Sequence, residues 1–342
     1  MNKNITFDNL YISGGKCSKN VKWKKSTAHY LLNQLEETYK LFIDLKNGTY
    51  KERPHKEFKV YEPKERDVLS IAFRDRVYQR TLNDLVIYPK MTKSFIYDNG
   101  ANQLNKGTDF ARDRLKEHLH RYFRENHTNK GFIIHLDIKK YYPTMSHQVA
   151  EDLLKKKLPK NVFLLVKDML KMYKGDVGYC AGSQLIQILG ISVLDNLDHY
   201  IKEQLKVKHY VRYMDDLVLI VKDNPQYYMD CVSKKLEKLH FKLNETKSKY
   251  TTIYKGVDFL GFNFSMNETG KVYKCILKSN LKRRRTKLRK QGEKQTIDEL
   301  KSSYTTWRNY AITSTSKKGI YACDKIYNDL INKKLEMLKQ KS

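Results

Sequence analysis

The chain has 342 residues, of which 67 are Lys or Arg and 38 are Asp or Glu, for a formal charge of +29. That length buries a large core and accommodates two or three subdomains. An excess of positive charge spread along the whole chain repels itself unless a polyanion answers it. With 25 tyrosines able to stack on bases, the balance selects nucleic acid over a membrane surface.

No apolar run approaches the roughly 18 residues of a membrane span, and the start, MNKNITFDNL, lacks the apolar core of a signal peptide. A cytoplasmic protein without a membrane partner is expected. Cys17, Cys180, Cys231, Cys275 and Cys323 form no CxxC pair and no Cys/His cluster, which excludes a zinc ribbon and agrees with a reducing compartment.

Residues 1–24 carry no element signal. Ser26 or Thr27 can cap a helix whose stripe runs through Leu31, Leu35, Tyr39 and Phe42 as a packing face, with Asn47-Gly48 ending it. Residues 58–82 read as a strand, a turn at Pro63-Lys64, a second strand and a helix. Lys106-Gly107-Thr108 precedes another helix, where Gly107 permits close backbone approach and Thr108 or Asp109 can cap. On that helix His118 and His120 point to different faces and make no metal pair. In GFIIHLDIKKYYPTM at 131–145, a buried strand ends at Asp137 before Pro143 breaks it. Gly178 and Gly182 then suit a loop of close backbone approach, followed by a helix with Ile188, Ile191, Leu194 and Leu197 at helical spacing. The run YVRYMDDLVLI at 210–220 reads as two buried strands joined by a tight turn that carries Asp215 and Asp216. Residues 236–250 form an amphipathic helix, a turn and a basic strand, and 257–266 a hairpin bent at Gly261. Lys282 to Lys290 place seven basic residues in nine at the start of a helical region containing Trp307.

Adjacent aspartates repel each other and are costly between hydrophobic strands unless a cation compensates them. A bare Asp-Asp pair can also be a polar hairpin tip. Asp137, at the end of a second buried strand, favours the cation: three converging carboxylates can hold two hard ions and clamp the oxygens of a phosphoryl transfer. On this ordered set of motifs, over roughly residues 55–342, the chain resembles a reverse transcriptase.

The resemblance implies an α+β right-hand polymerase, with an N-terminal helix and fingers over 1–130, a palm of antiparallel sheet and helices over 131–266, and a helical basic thumb over 267–342. It implies two Mg2+ ions, with Mn2+ as the alternative, held by Asp137, Asp215, Asp216 and the carbonyl of Ile138. Lys247 matches the lysine that protonates the leaving pyrophosphate, against a surface charge as the plain reading. Arg66, then Arg74, then Lys64 match the fingers residues that grip the triphosphate, with solvated or helix-pairing charges as the alternative. Tyr142, five residues after Asp137, matches the aromatic that excludes a 2′-hydroxyl; otherwise it is a core aromatic. Lys106 and its neighbours would rest on a template phosphate, Gly261 lies in the primer-grip hairpin, and Lys282, Arg283, Arg284 and Arg285 would track the nucleic-acid backbone rather than form a merely solvated face.

One motif departs from the family. Most reverse transcriptases place a glutamine before the second loop glycine and Ser-Pro after it, and diversity-generating retroelement enzymes have an aliphatic residue and Ser-Gln. This chain has Ala181, Gly182 and then Ile186-Gln187, nearer the second group, as is LDNLDHYIK at 194–202; retron, telomerase and retroviral patterns fit less well. Ala181 offers no amide to check the incoming nucleotide, so loose selection is expected unless Gln184 or Gln187 restores the contact. With no RNase H, integrase or endonuclease segment expected, the implied enzyme is a stand-alone polymerase that takes dNTPs and a non-coding RNA template and makes nascent DNA, with an accessory protein or a second copy as further partners. Its implied role is antiphage defence, with low-fidelity diversification as the alternative. A catalytically silent RNA-binding scaffold would use the same charge, but has no need of three repelling acids. An RNA-templated RNA polymerase would share the palm and differ at Tyr142.

Overall fold

The computed structural model describes residues 5–61, 65–180 and 182–340. In chain order the helices are Phe7–Ser18 (α1), Lys25–Leu32 (α2), Gln34–Asn47 (α3), Phe73–Leu82 (α4), Tyr88–Thr92 (α5), Thr108–Asn126 (α6), Tyr141–Thr144 (α7), His147–Lys157 (α8), Lys160–Leu170 (α9), Gln184–Val193 (α10), Asp195–His199 (α11), Pro225–Glu237 (α12), Lys278–Gln291 (α13), Ile297–Ala311 (α14) and Lys317–Lys339 (α15). The strands are Lys56–Val60 (β1), Arg66–Ser70 (β2), Phe132–Asp137 (β3), His209–Tyr213 (β4), Asp216–Val221 (β5), Lys249–Thr252 (β6), Val257–Phe259 (β7), Phe262–Met266 (β8) and Val272–Ile276 (β9). The chain divides into two compact units, one of residues 1–105, 138–206 and 230–244, the other of 106–137, 207–229 and 245–342.

The first unit is mostly helical. Its centre is α10, whose Leu185, Ile186, Ile188, Leu189, Ile191 and Val193 are all buried, as expected of a helix apolar on every side. It packs on α4, α5 and α8. A π-helical turn, Asn83–Ile87, joins α4 to α5. The antiparallel hairpin β1–β2 pairs Val60 with Arg66 at its turn end, and its Pro63-Lys64 turn lies outside the described residues. One expected helix divides in two here. Asn33 bonds back to the His29 carbonyl through both its backbone N–H and its side chain (3.3 and 3.1 Å), which ends α2 and restarts the helical phase at Gln34. The buried face of α3 is therefore Thr38, Leu41 and Leu45, while Leu35 and Tyr39, read as packing, stay exposed. Ser26 and Thr27 lie inside α2 and cap nothing; Gly48 does close α3 in the left-handed conformation.

The second unit is built on two antiparallel sheets. One has the order β4-β5-β3-β6 and the other β7-β8-β9. Strands β3 and β5 run side by side at the centre of the first, and their Ile133, Ile134, Leu136, Val218, Leu219 and Ile220 are buried. Helix α6 lies against β4, β5 and β9, so that Leu115 and Leu119 share a core with Val211, Val218, Phe262 and Phe264. Helices α13, α14 and α15 form a second core of Leu288, Leu300, Tyr304 and Cys323, in which the rings of Tyr304 and Tyr327 stack at 4.1 Å. The helix read into residues 236–250 lies upstream, as α12.

Candidate active site

The register of the central sheet brings the three acids together. Asp137, last residue of β3, sits opposite Asp216, first residue of β5, and Tyr213 of β4 sits opposite the same Asp216. Only Met214 and Asp215 are left to turn the chain, and Met214 takes a positive φ of 55°. A bulky residue in the left-handed region needs support. Arg212, wholly buried, supplies it by donating from Nη1 to the Met214 carbonyl at 3.0 Å.

The electrostatics are those of crowded carboxylates. Burial, then the neighbouring Asp216 and Asp137, push the Asp215 carboxyl up to about 6. Lys247 Nζ donates to Asp137 Oδ1 at 2.7 Å, and that bond holds its ammonium above the usual lysine range. Ser248 Oγ accepts the Asp137 backbone N–H at 3.1 Å, which fixes the end of β3. His135 Nε2 lies 3.3 Å from Asp216 Oδ1. Among the described residues no group of three or more His, Cys, Asp or Glu is closed tightly enough to hold a metal ion. An all-oxygen donor set with surplus negative charge, partly answered by one ammonium, is nevertheless the chemistry that suits a hard divalent cation. Ile138 is buried and bridges Leu243.

The remaining candidates are distributed between the units. In the first, Tyr142 on α7 is half-buried against α10, where Gly190 provides its seat: any Cβ there would press on the tyrosine ring. Gly182 has φ 144° and lies so close to the Leu69 carbonyl that a side chain would collide with it. The next residue, Ser183, donates to Gln79 Oε1 (3.1 Å), and Gln79 Nε2 donates to Glu52 Oε1 (2.8 Å). Burial, then Asp75, pushes the Glu52 carboxyl up to about 7. Gln187 is exposed on α10, and Gln184 turns its amide to Asp84 at 3.4 Å. Arg66 is exposed on β2. Arg74 departs from the expected role: it is buried at the start of α4, paired with Asp44 and set against the Tyr50 ring, so its charge is answered inside the protein. Lys64 and Ala181 lie outside the described residues.

In the second unit Lys106 lies over the Phe110 ring at 5.0 Å. Gly107 has an extended φ of 170° with open space around it, so neither strain nor crowding calls for glycine there. Thr108 begins α6 rather than capping it, and Asp109 pairs with Arg112 at 2.7 Å. The β7–β8 turn carries Gly261 at φ 89° with the Tyr310 hydroxyl against it. Its Leu260 carbonyl accepts Nε and Nη2 of Arg112, at 3.0 and 2.7 Å. On α13, Lys282 and Arg283 are exposed and Arg285 is half-buried. Arg284 is turned inward, donating to the Ser303 carbonyl at 3.1 Å and stacking on Tyr304 and Trp307, and so departs from the expected phosphate contact.

Sequence reasoning missed Arg212 and the hydrogen bonds that join Ser183, Gln79 and Glu52. An arginine in an otherwise apolar strand, YVRYM, was the available signal for the first; the second joins residues far apart in the chain and had none.

The fold resembles that of a solved structure. Telomerase from Candida albicans in complex with a fragment of telomeric RNA superposes with a TM-score of 0.52 at 14% identity, over 89% of this chain and 65% of that one. Apo telomerase from Candida tropicalis gives 0.46 at 13% identity, over 91% and 64%. This chain thus spans slightly less than two thirds of those proteins, and at such identity the likeness concerns the fold alone. No curated protein matches the sequence. The family model described as reverse transcriptase (RNA-dependent DNA polymerase) matches residues 63–264, more than half of the chain and inclusive of all three acids. The chain belongs to the reverse transcriptase family.

Proposed function

We propose that the protein is an RNA-directed DNA polymerase that copies a dedicated non-coding RNA from dNTPs in antiphage defence. The observation that carries the polymerase reading is the placement of Asp137, Asp215 and Asp216 at one end of the paired strands β3 and β5, beside Lys247. In this reading residues 1–130 are N-terminal helices and fingers, 131–266 the palm and 267–342 the thumb. The three carboxylates and the Ile138 carbonyl would hold Mg2+, two ions by the chemistry of phosphoryl transfer. When bound, such ions stabilise the charge that develops on the transferring phosphoryl group. Lys247, already a proton-bearing partner of Asp137, gives a proton to the leaving pyrophosphate. Arg66 answers the triphosphate from the fingers hairpin, since its charge is unburied where that of Arg74 is not. Tyr142, backed by α10 through Gly190, stands under the deoxyribose and leaves no room for a 2′-hydroxyl. The alternative role, diversification of a host gene, is favoured by Ala181 and by the LDNLDHYIK segment; a template repeat beside a variable gene would identify it.

The test is primer extension with purified protein. Asp215→Ala is expected to abolish incorporation while RNA affinity is kept, and Tyr142→Ala to admit ribonucleotides that the parent rejects. Incorporation by Asp215→Ala at the parent rate would end the polymerase reading, and equal use of both sugars by the parent would make it an RNA polymerase.

A further inference from the structure

The stretch before α2, silent in its sequence pattern, has an unusual surface. Trp23, one of two tryptophans in the chain, is 80% exposed in the short connection between α1 and α2. An indole is the largest apolar side chain, and leaving it in water forgoes the burial that would stabilise the fold. The connection is ordered. Val21 N–H bonds to the Ser18 carbonyl and Lys24 N–H to the Val21 carbonyl, both at 3.0 Å, while Asn20 turns the chain at φ 66°. Ser18 is buried and bonds to the Gly15 carbonyl at 2.8 Å, which anchors the connection to the end of α1. The indole is thus held out on a fixed base.

Its neighbours along the chain are of one sign. Lys19, Lys22, Lys24 and Lys25 are all exposed, Lys24 Nζ lies 5.5 Å from the indole ring, and between Asp8 and Glu36 there is no acidic residue. A stackable ring among ammonium groups meets a base face and a phosphate backbone at once. A duplex hides its base faces, so the strand must be unpaired. We infer that the Lys19–Lys25 connection is a binding site for single-stranded nucleic acid, with Trp23 stacking on an unpaired base and the lysines answering adjacent phosphates. The inference rests on the reading above that the protein handles RNA. It adds a contact that none of the polymerase motifs supplies.

The test uses the full chain and a short unstructured RNA, with DNA of the same sequence as a second arm. Trp23→Ala is expected to weaken binding about tenfold, the scale of one lost base stack, whereas Trp23→Phe keeps most of it. Replacing Lys22, Lys24 and Lys25 by Gln should lower the slope of log affinity against log salt by about 0.7 per lost contact. Ultraviolet crosslinking should place the strand on the peptide that contains Trp23. A larger Trp23 effect on RNA than on DNA assigns the site to template, and the reverse to product; both support it. If the parent binds RNA and Trp23→Ala binds it equally with an unchanged slope, this inference falls and the polymerase reading stands. If the parent binds no RNA, the polymerase reading falls with it. Binding of anionic vesicles that needs Trp23, with RNA affinity unaffected, would assign the surface to a membrane and overturn the inference.

Discussion

The β4–β5 hairpin and the basic helix α13 are both dense in charge, and they treat it in opposite ways. At the β4–β5 turn, adjacency in sequence becomes adjacency in space, because only Met214 and Asp215 separate the paired strands, and β3 adds Asp137 from across the sheet. Like charges are thereby concentrated around one ammonium, that of Lys247. On α13 the helical advance of ~100° per residue spreads consecutive basic residues around the axis. Lys282 and Arg283 face water, while Arg284 goes into the core that α13 shares with α14 and α15. A charged pair on a hairpin tip therefore stays together in space. A charged run on a helix is divided by geometry between surface and interior, and only part of it is available to a ligand.

The comparison can be broken at its strongest point by Lys247→Ala, which removes the opposite charge from the hairpin and the proposed proton donor together. Incorporation at saturating substrate is expected to fall about a hundredfold, the lower end of the range for general acid catalysis; Lys282→Ala should leave that rate within about twofold. Equal effects of the two would remove the distinction. It is sharpened within α13. Arg284→Ala strips Tyr304 and Trp307 of a stacked guanidinium and leaves the Ser303 carbonyl without its donor, and should cost about 2 kcal/mol in thermal or chemical denaturation. Arg283→Ala, exposed, should cost under about 0.5 kcal/mol. The smallest effect is electrostatic. Lys282→Gln and Arg283→Gln should each flatten the salt dependence of nucleic-acid binding by about 0.7–0.9, whereas a conservative Arg284→Lys should leave the slope unchanged. A slope that responds to Arg284→Lys alone would reverse the assignment of faces.

Much of the candidate site is legible in the sequence. Asp137, Asp215 and Asp216 each stand where an apolar strand pattern stops, and a strand's period of two is robust to its surroundings because both neighbours must be paired. Gly182 and Gly261 were legible for a related reason, since their positive φ and close neighbours belong to local backbone geometry. Gly107 shows the limit of that reasoning: the residue type is permissive, and here its permission goes unused. Arginines were the least legible class. Arg66, Arg74, Arg112, Arg212, Arg283 and Arg284 look alike in sequence, yet three of them donate to backbone carbonyls of the chain and Arg74 pairs with Asp44. A guanidinium has five donors and a long apolar stem, so it can serve a core as well as a surface.

By itself the sequence determined the strong positive charge, the α+β character and the three acids at strand ends, because net charge, period and strand termination are properties of the chain taken locally. Only the tertiary structure decided which cations are spent inside the protein. It placed Lys247 on Asp137 across 110 positions of sequence and turned Arg74 onto Asp44. It also left Trp23 outside. The reason is that burial is settled by which elements meet, and a side chain's charge or aromaticity says what it can bind but not whether the fold has already bound it.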